Sequence, residues 1–166
     1  MSTRAWTEKD GVIYCSVTSD GKTGPEWVAH FEKKHACVHH VAEHLLCSSD
    51  FVPTTGITYQ IAILKGMLWN DKTRVTRNIR SKAHRLQLVK SHAEIACLIR
   101  DKFTDAEIKA MGLFMITTMH KSIKDSDGDP CRLNAPRVDD GCWLGACPIY
   151  RDERWNRADG FAYVVS

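Results

Sequence analysis

Leu113-Phe-Met-Ile-Thr-Thr-Met-His-Lys-Ser-Ile-Lys-Asp-Ser-Asp-Gly-Asp-Pro130 is the stretch on which the fold turns. Its first seven residues form an apolar run that stops at His120, and it empties into a loop of Asp, Ser and Gly before Pro130. A run of this length bounded by turn residues reads as a buried strand. The chain before it is mostly helical in pattern, and the chain after it is turn-rich with two short apolar runs. The segment therefore reads as the middle of a sheet that both halves use, with His120 at the strand's end and three acids just beyond.

Upstream, Val12 to Thr18 alternates as a half-buried strand, with Ile13, Cys15 and Val17 on one side. Thr23-x-x-Glu26 has capping-box spacing, and Pro25 stands where a missing N–H costs nothing, so a helix burying Trp27, Val28 and Phe31 should follow. Ala36 to Leu46 reads as a second helix with Val38, Val41, Ala42 and Leu45 inward. Ile57 to Leu64 is the clearest strand. After Gly66 and a cap signal at Asn70-Asp71, the spacing of Val75, Ile79, Ala83 and Leu86 predicts an amphipathic helix with a basic outer face. Ser91-x-x-Glu94 and Thr104-x-x-Glu107 each open a further helix, the second closed by Gly112. Asp125 to Asp140 reads as a long polar loop, followed by short strands at Cys142 to Cys147 and Phe161 to Val165. This order predicts a single α+β domain over residues 1–166, with a mixed sheet of about five strands and helices mainly on one face.

At 166 residues, 43% hydrophobic and 26% charged, the composition is that of a globular chain. No run approaches the ~20 apolar residues of a membrane helix, and the N-terminus lacks a signal peptide's apolar core, so the expectation is a cytoplasmic protein with no membrane partner. Seven cysteines with no C-x-x-C pair read as free thiols in a reducing compartment.

Thr23-Gly-Pro-Glu-Trp27, Pro53-Thr-Thr-Gly56, Ala93-Glu-Ile-Ala-Cys-Leu-Ile-Arg-Asp-Lys-Phe103, Lys124-Asp-Ser-Asp-Gly-Asp-Pro130 and Gly160-Phe-Ala-Tyr-Val-Val165 carry a resemblance over nearly the whole chain. The chain resembles a group of small uncharacterised bacterial proteins. That resemblance implies a bacterial cytosolic origin and brings no activity, cofactor or partner with it.

Four constellations have chemical content. From Lys65 to Lys90 there are eight Lys and Arg against Asp71 alone, a local net charge of +7 in a chain of +3. Lys72, Arg74, Arg77, Arg80, Lys82 and Arg85 on the outer face of a helix, with Thr73, Thr76 and Asn78 for hydrogen bonds, suit a phosphate backbone. Asp125, Asp127 and Asp129 stand at alternate positions as in the first half of a calcium loop, although Pro130 and Pro136 occupy the places where an EF-hand needs Gly and Glu. A divalent cation is the one cofactor this spacing suits, and no motif calls for another. His120 with Asp125 or Asp127 would make a base and its orienter. Cys37, His40, His44 and Cys47 lie along one helical stripe, but four residues on a straight helix spread over about 15 Å, too far for one zinc ion to gather. Trp143, Tyr150 and Trp155 among the C-terminal arginines suit a protein partner, with Trp155 in the most polar context.

No Gly-rich phosphate loop, Gly-x-Ser-x-Gly elbow or His-Glu-x-x-His helix is present. The leading expectation is a non-catalytic nucleic-acid binding protein using the basic helix. The alternatives are a metal-dependent hydrolase or transferase centred on His120, Asp125, Asp127 and Asp129, and an interaction module using the aromatic C-terminal third.

Overall fold

The computed structural model describes residues 4–137, 142–149 and 154–166. Its elements are β1 (Trp6–Lys9), β2 (Val12–Asp20), α1 (Gly24–Lys33), β3 (Cys37–Val38), α2 (His40–Leu46), β4 (Thr55–Lys65), a single 3-10 turn (Gly66–Leu68), α3 (Thr76–Arg85), β5 (Leu88–Val89), α4 (Glu94–Lys102), α5 (Asp105–Ala110), β6 (Met115–Thr118), β7 (Ile123–Lys124), β8 (Pro130–Pro136), β9 (Cys142–Pro148) and β10 (Asp159–Val165). The strands form one mixed sheet ordered β1-β2-β4-β10-β6-β8-β9-β3, with β5 and β7 pairing β10 and β8 at the side.

The Leu113–Pro130 segment is central as expected. β6 lies between β10, which it pairs in parallel, and β8, which it pairs antiparallel. The C-terminal strand β10 enters between β6 and β4, so it pairs with both strands. Among the described residues the sheet has ten strands rather than about five, and the extra ones have local causes. Asp10 and Gly11 both take positive φ, 52° and 75°, the two-residue turn that matches strand twist, and this hairpin adds β1. Cys37-Val38 is a short strand beside β9, so the helix expected over Ala36 to Leu46 begins only at His40. The polar loop expected over Asp125 to Asp140 is corrected in the same way, since Pro130 to Pro136 is β8, buried along almost its whole length. Arg132 and Asn134 had masked its alternation, because they too point into the protein.

Both faces of the sheet are covered. Ile13, Cys15, Val17, Ile61, Ile63, Ile116, Leu133 and Ala162 meet the inner sides of α1, α2, α4 and α5, where Trp27 and Phe31 stack at 5.5 Å. Val12, Ala62, Leu64, Phe161 and Tyr163 look the other way, toward Ile79 and Ala83 of α3 and toward Trp155. Among the described residues, the α-helices thus gather mainly on one face, with the basic helix opposite beside the Gly66–Leu68 turn. Leu86, expected inward, is 41% exposed because α3 ends before it.

Helix starts were read unevenly. Thr23 accepts from the Glu26 amide, and Thr104 with Glu107 forms a complete capping box. Gly112, at φ 78°, closes α5 as expected. Ser91 and Glu94 do not make one. The Ser91 hydroxyl donates to the Ala162 carbonyl, and Glu94 turns inward, accepting from the Thr54 amide at 2.9 Å, the Thr54 hydroxyl at 2.5 Å and the Tyr59 hydroxyl at 3.1 Å. This carboxylate, 2% exposed, fastens the loop before β4 to α4. Glu94→Ala leaves those donors unpaired in the interior and should lower stability by at least about 2 kcal/mol, read as a drop in urea midpoint at unchanged slope, while Tyr59→Phe should cost far less. Gly24→Ala should be similarly damaging, because a Cβ there would overlap the Leu46 carbonyl of α2.

Candidate functional site

The basic segment divides into buried and free cations. Arg74 is 3% exposed: its Nε donates to the Gly66 carbonyl at 2.7 Å, its Nη2 to the Trp69 carbonyl at 2.7 Å, and its Nη1 to Trp155 O at 3.3 Å and Asp71 at 3.0 Å. It is corrected from the binding face to the interior, where it clamps the turn before α3 onto the C-terminal segment. Trp155 completes the clamp, its amide donating to Arg74 O and its indole to the Thr76 hydroxyl at 2.9 Å. At 7% exposure it is no docking residue, contrary to the expectation from its polar neighbours. Thr76 is buried and not free for a phosphate, and Asn78 spends one of its two N–H groups on Thr73 O. Lys65 pairs with Glu8 at 2.6 Å. Lys72, Arg77, Arg80, Lys82, Arg85 and Lys90 remain, and none has a carboxylate partner among the described residues. Arg77, Arg80 and Arg85 are exposed on α3, with Lys82 half-buried on its flank.

One flank of α3 borders a cavity of about 190 Å³ on the sheet's second face. Arg80, Ala83 and His84 form one wall, Leu88 and Lys90 the rim, and Met119, Arg132 and Tyr163 the sheet side. Arg132 and Tyr163 are each 4% exposed. Burial pushes the Tyr163 phenol up to about 12, so it stays protonated. Burial and the neighbouring Arg80 both lower the Arg132 pKa. The sequence reading missed Arg132 and Tyr163: one stands in the expected loop Asp125 to Asp140, the other in the expected strand Phe161 to Val165. The only available signal was that a strand reading of Pro130 to Pro136 puts Arg132 and Asn134 on one face.

His120 is 2% exposed at the end of β6. Its Nδ1 donates to Lys121 O at 2.6 Å, and its Nε2 accepts the Leu133 amide at 3.0 Å. Both nitrogens are thus engaged by backbone, and neither meets Asp125 or Asp127. Burial first, and the charge of Arg132 with it, lowers its pKa from 6.5 to about 4 against the opposing bond to Lys121 O. The ring is a neutral brace between β6 and β8, and its carbonyl accepts from Arg132 Nε at 3.0 Å. The base-and-orienter reading of His120 is therefore corrected.

Asp125, Asp127 and Asp129 bring carboxylate oxygens within 4.8 Å of one another, the set that a hard cation would use. The turn between β7 and β8 also accounts for Asp125, whose Oδ1 accepts the Asp127 and Asp129 amides, each at 2.9 Å. Those bonds hold its carboxyl below the usual range. Cys37, His40, His44 and Cys47 are exposed, and β3 takes Cys37 off the helix that carries His40 and His44. Trp143 is half-buried with its ring 4.5 Å from the buried Arg100 guanidinium. Tyr150 lies outside the described residues.

No helix is long and apolar enough to cross a membrane among the described residues. Comparison with protein families, curated proteins and solved structures found no match.

His120 generates a pH signature. Its folded pKa lies below its unfolded value, so the unfolded state binds the extra proton, and stability present above pH 6.5 is lost as pH falls toward about 4. The loss should reach about 3 kcal/mol, and His120→Gln should flatten Tm across that window.

Proposed function

We propose that the protein binds nucleic acid, without catalysis, through the outer face of α3. The observation carrying this reading is the set of cations without acid partners among the described residues, Lys72, Arg77, Arg80, Lys82 and Arg85, on and just before one helix. A phosphate backbone rewards such a set through counterion release, which needs spaced cations and no deep pocket. Arg74 does not belong to the interface, because its guanidinium is spent on carbonyls and Asp71. Such cations contact the backbone, which carries no sequence information directly.

Affinity for a mixed pool of single- and double-stranded oligonucleotides should fall with salt on a log-log slope of about −0.7 to −0.9 per phosphate neutralised. Reversal of Lys72, Arg77 and Arg85 to Glu should abolish binding while leaving Tm nearly unchanged. Arg74→Ala should instead unfold the protein at lower temperature. Salt-independent binding, or unchanged affinity in the triple reversal, would overturn the reading.

A further inference from the structure

The cavity beside α3 contains polar groups that the protein leaves without partners. Arg132 Nη1 and the Tyr163 hydroxyl are both buried and make no hydrogen bond, although their side chains line the cavity. Leaving a charged donor and a phenol unpaired in the interior costs free energy that folding does not recover. Most buried arginines here are better served. Arg74 reaches three carbonyls and Asp71, and Arg100, whose Nε is also without a partner, reaches Phe103 O and Asp105. Among the described residues, Arg132 has only the His120 carbonyl.

The lining has a consistent sign. Arg80, Lys90 and Arg132 are cationic side chains, His84 stands one turn after Arg80, and among the described residues no Asp or Glu lines the cavity. None of the three cations has an acid partner among the described residues. The missing partner is thus an oxyanion, and three cations suit a dianion better than a carboxylate. Ala83, Leu88 and Met119 supply the apolar remainder of the wall. A volume of about 190 Å³ is also about six times a water's share of the liquid, more than a bare phosphate ion fills.

We propose that this cavity binds a phosphomonoester, its phosphoryl oxygens taken by Arg132, Tyr163, Arg80 and Lys90, and its ester carbon group set against Met119 and Leu88. Two sources carry that chemistry, a small organic phosphate and the terminal phosphate of a nucleic-acid strand. The site shares Arg80 with the outer face of α3, but Lys72, Arg77 and Arg85 do not line it.

The test is calorimetric titration with phenyl phosphate, inorganic phosphate and benzoate, and with one oligonucleotide bearing either a 5′-phosphate or a 5′-hydroxyl. Phenyl phosphate should bind more tightly than inorganic phosphate or benzoate and should raise Tm. Tyr163→Phe removes only an unpaired hydroxyl, so the unliganded Tm should hold or rise while phenyl phosphate affinity falls about tenfold. Arg80→Gln should weaken it as much. Stronger binding of the 5′-phosphorylated strand, kept when Lys72, Arg77 and Arg85 are reversed, identifies the strand-end source; equal binding of the two strands identifies the small-molecule source. Failure of phenyl phosphate to bind the wild-type protein, or affinity unmoved by Tyr163→Phe and Arg80→Gln, would overturn the proposal while leaving oligonucleotide binding by α3 intact.

Discussion

The ladder that β10 makes with two partners at once is the constraint on which the remaining structure depends. Residues 159 to 165 must fit between β4, made a hundred residues earlier, and β6, made before the acidic turn. Backbone donors and acceptors on the edges of β4 and β6 that face it stay unpaired in the interior until that strand arrives, so the two halves of the sheet cannot complete separately. The second face inherits the same dependence. Phe161 and Tyr163 lie beneath α3, and Trp155, just upstream, pins the start of that helix. The position of the basic helix is thereby decided by residues some 80 positions away.

Like charges end in unlike roles through burial. Arg74 and Arg85 belong to one basic segment and differ by eleven positions, yet one satisfies carbonyl oxygens that a turn leaves exposed and the other faces water. A guanidinium can replace a backbone partner because it offers five donors in a fixed fork, and the carbonyls of Gly66, Trp69 and Trp155 lie within its reach. Arg132 departs from this economy. It is as buried as Arg74 but among the described residues has a single carbonyl, with a second arginine nearby instead of an acid. Such imbalance inside a folded protein is where a ligand's charge belongs.

His120 shows how the same reasoning removes a catalytic candidate. A histidine at a strand end beside three acids has the ingredients of proton transfer, but catalysis needs a free nitrogen near the working pH. Here Leu133 and Lys121 occupy both nitrogens, and burial keeps the ring neutral.

What the sequence by itself determined was local and periodic: the α+β class, the central place of Leu113 to Met119, the strands at Val12 and Ile57, the capped starts of α1 and α5, and the basic character of the segment around α3. Those follow from side-chain period and cap chemistry, which act within a few residues. Only the tertiary structure decided that Pro130 to Pro136 is an interior strand, that Ser91 and Glu94 serve Ala162, Thr54 and Tyr59 instead of a helix cap, that Arg74 and Trp155 hold each other inside, and that Arg132 and Tyr163 share a cavity with Arg80. Each of those facts depends on a partner 35 to 81 positions distant or on the packing of whole elements. A polar side chain carries no mark in the sequence of whether its partner will be water, a carbonyl or a ligand, because that is settled by which groups the fold brings within about 3 Å.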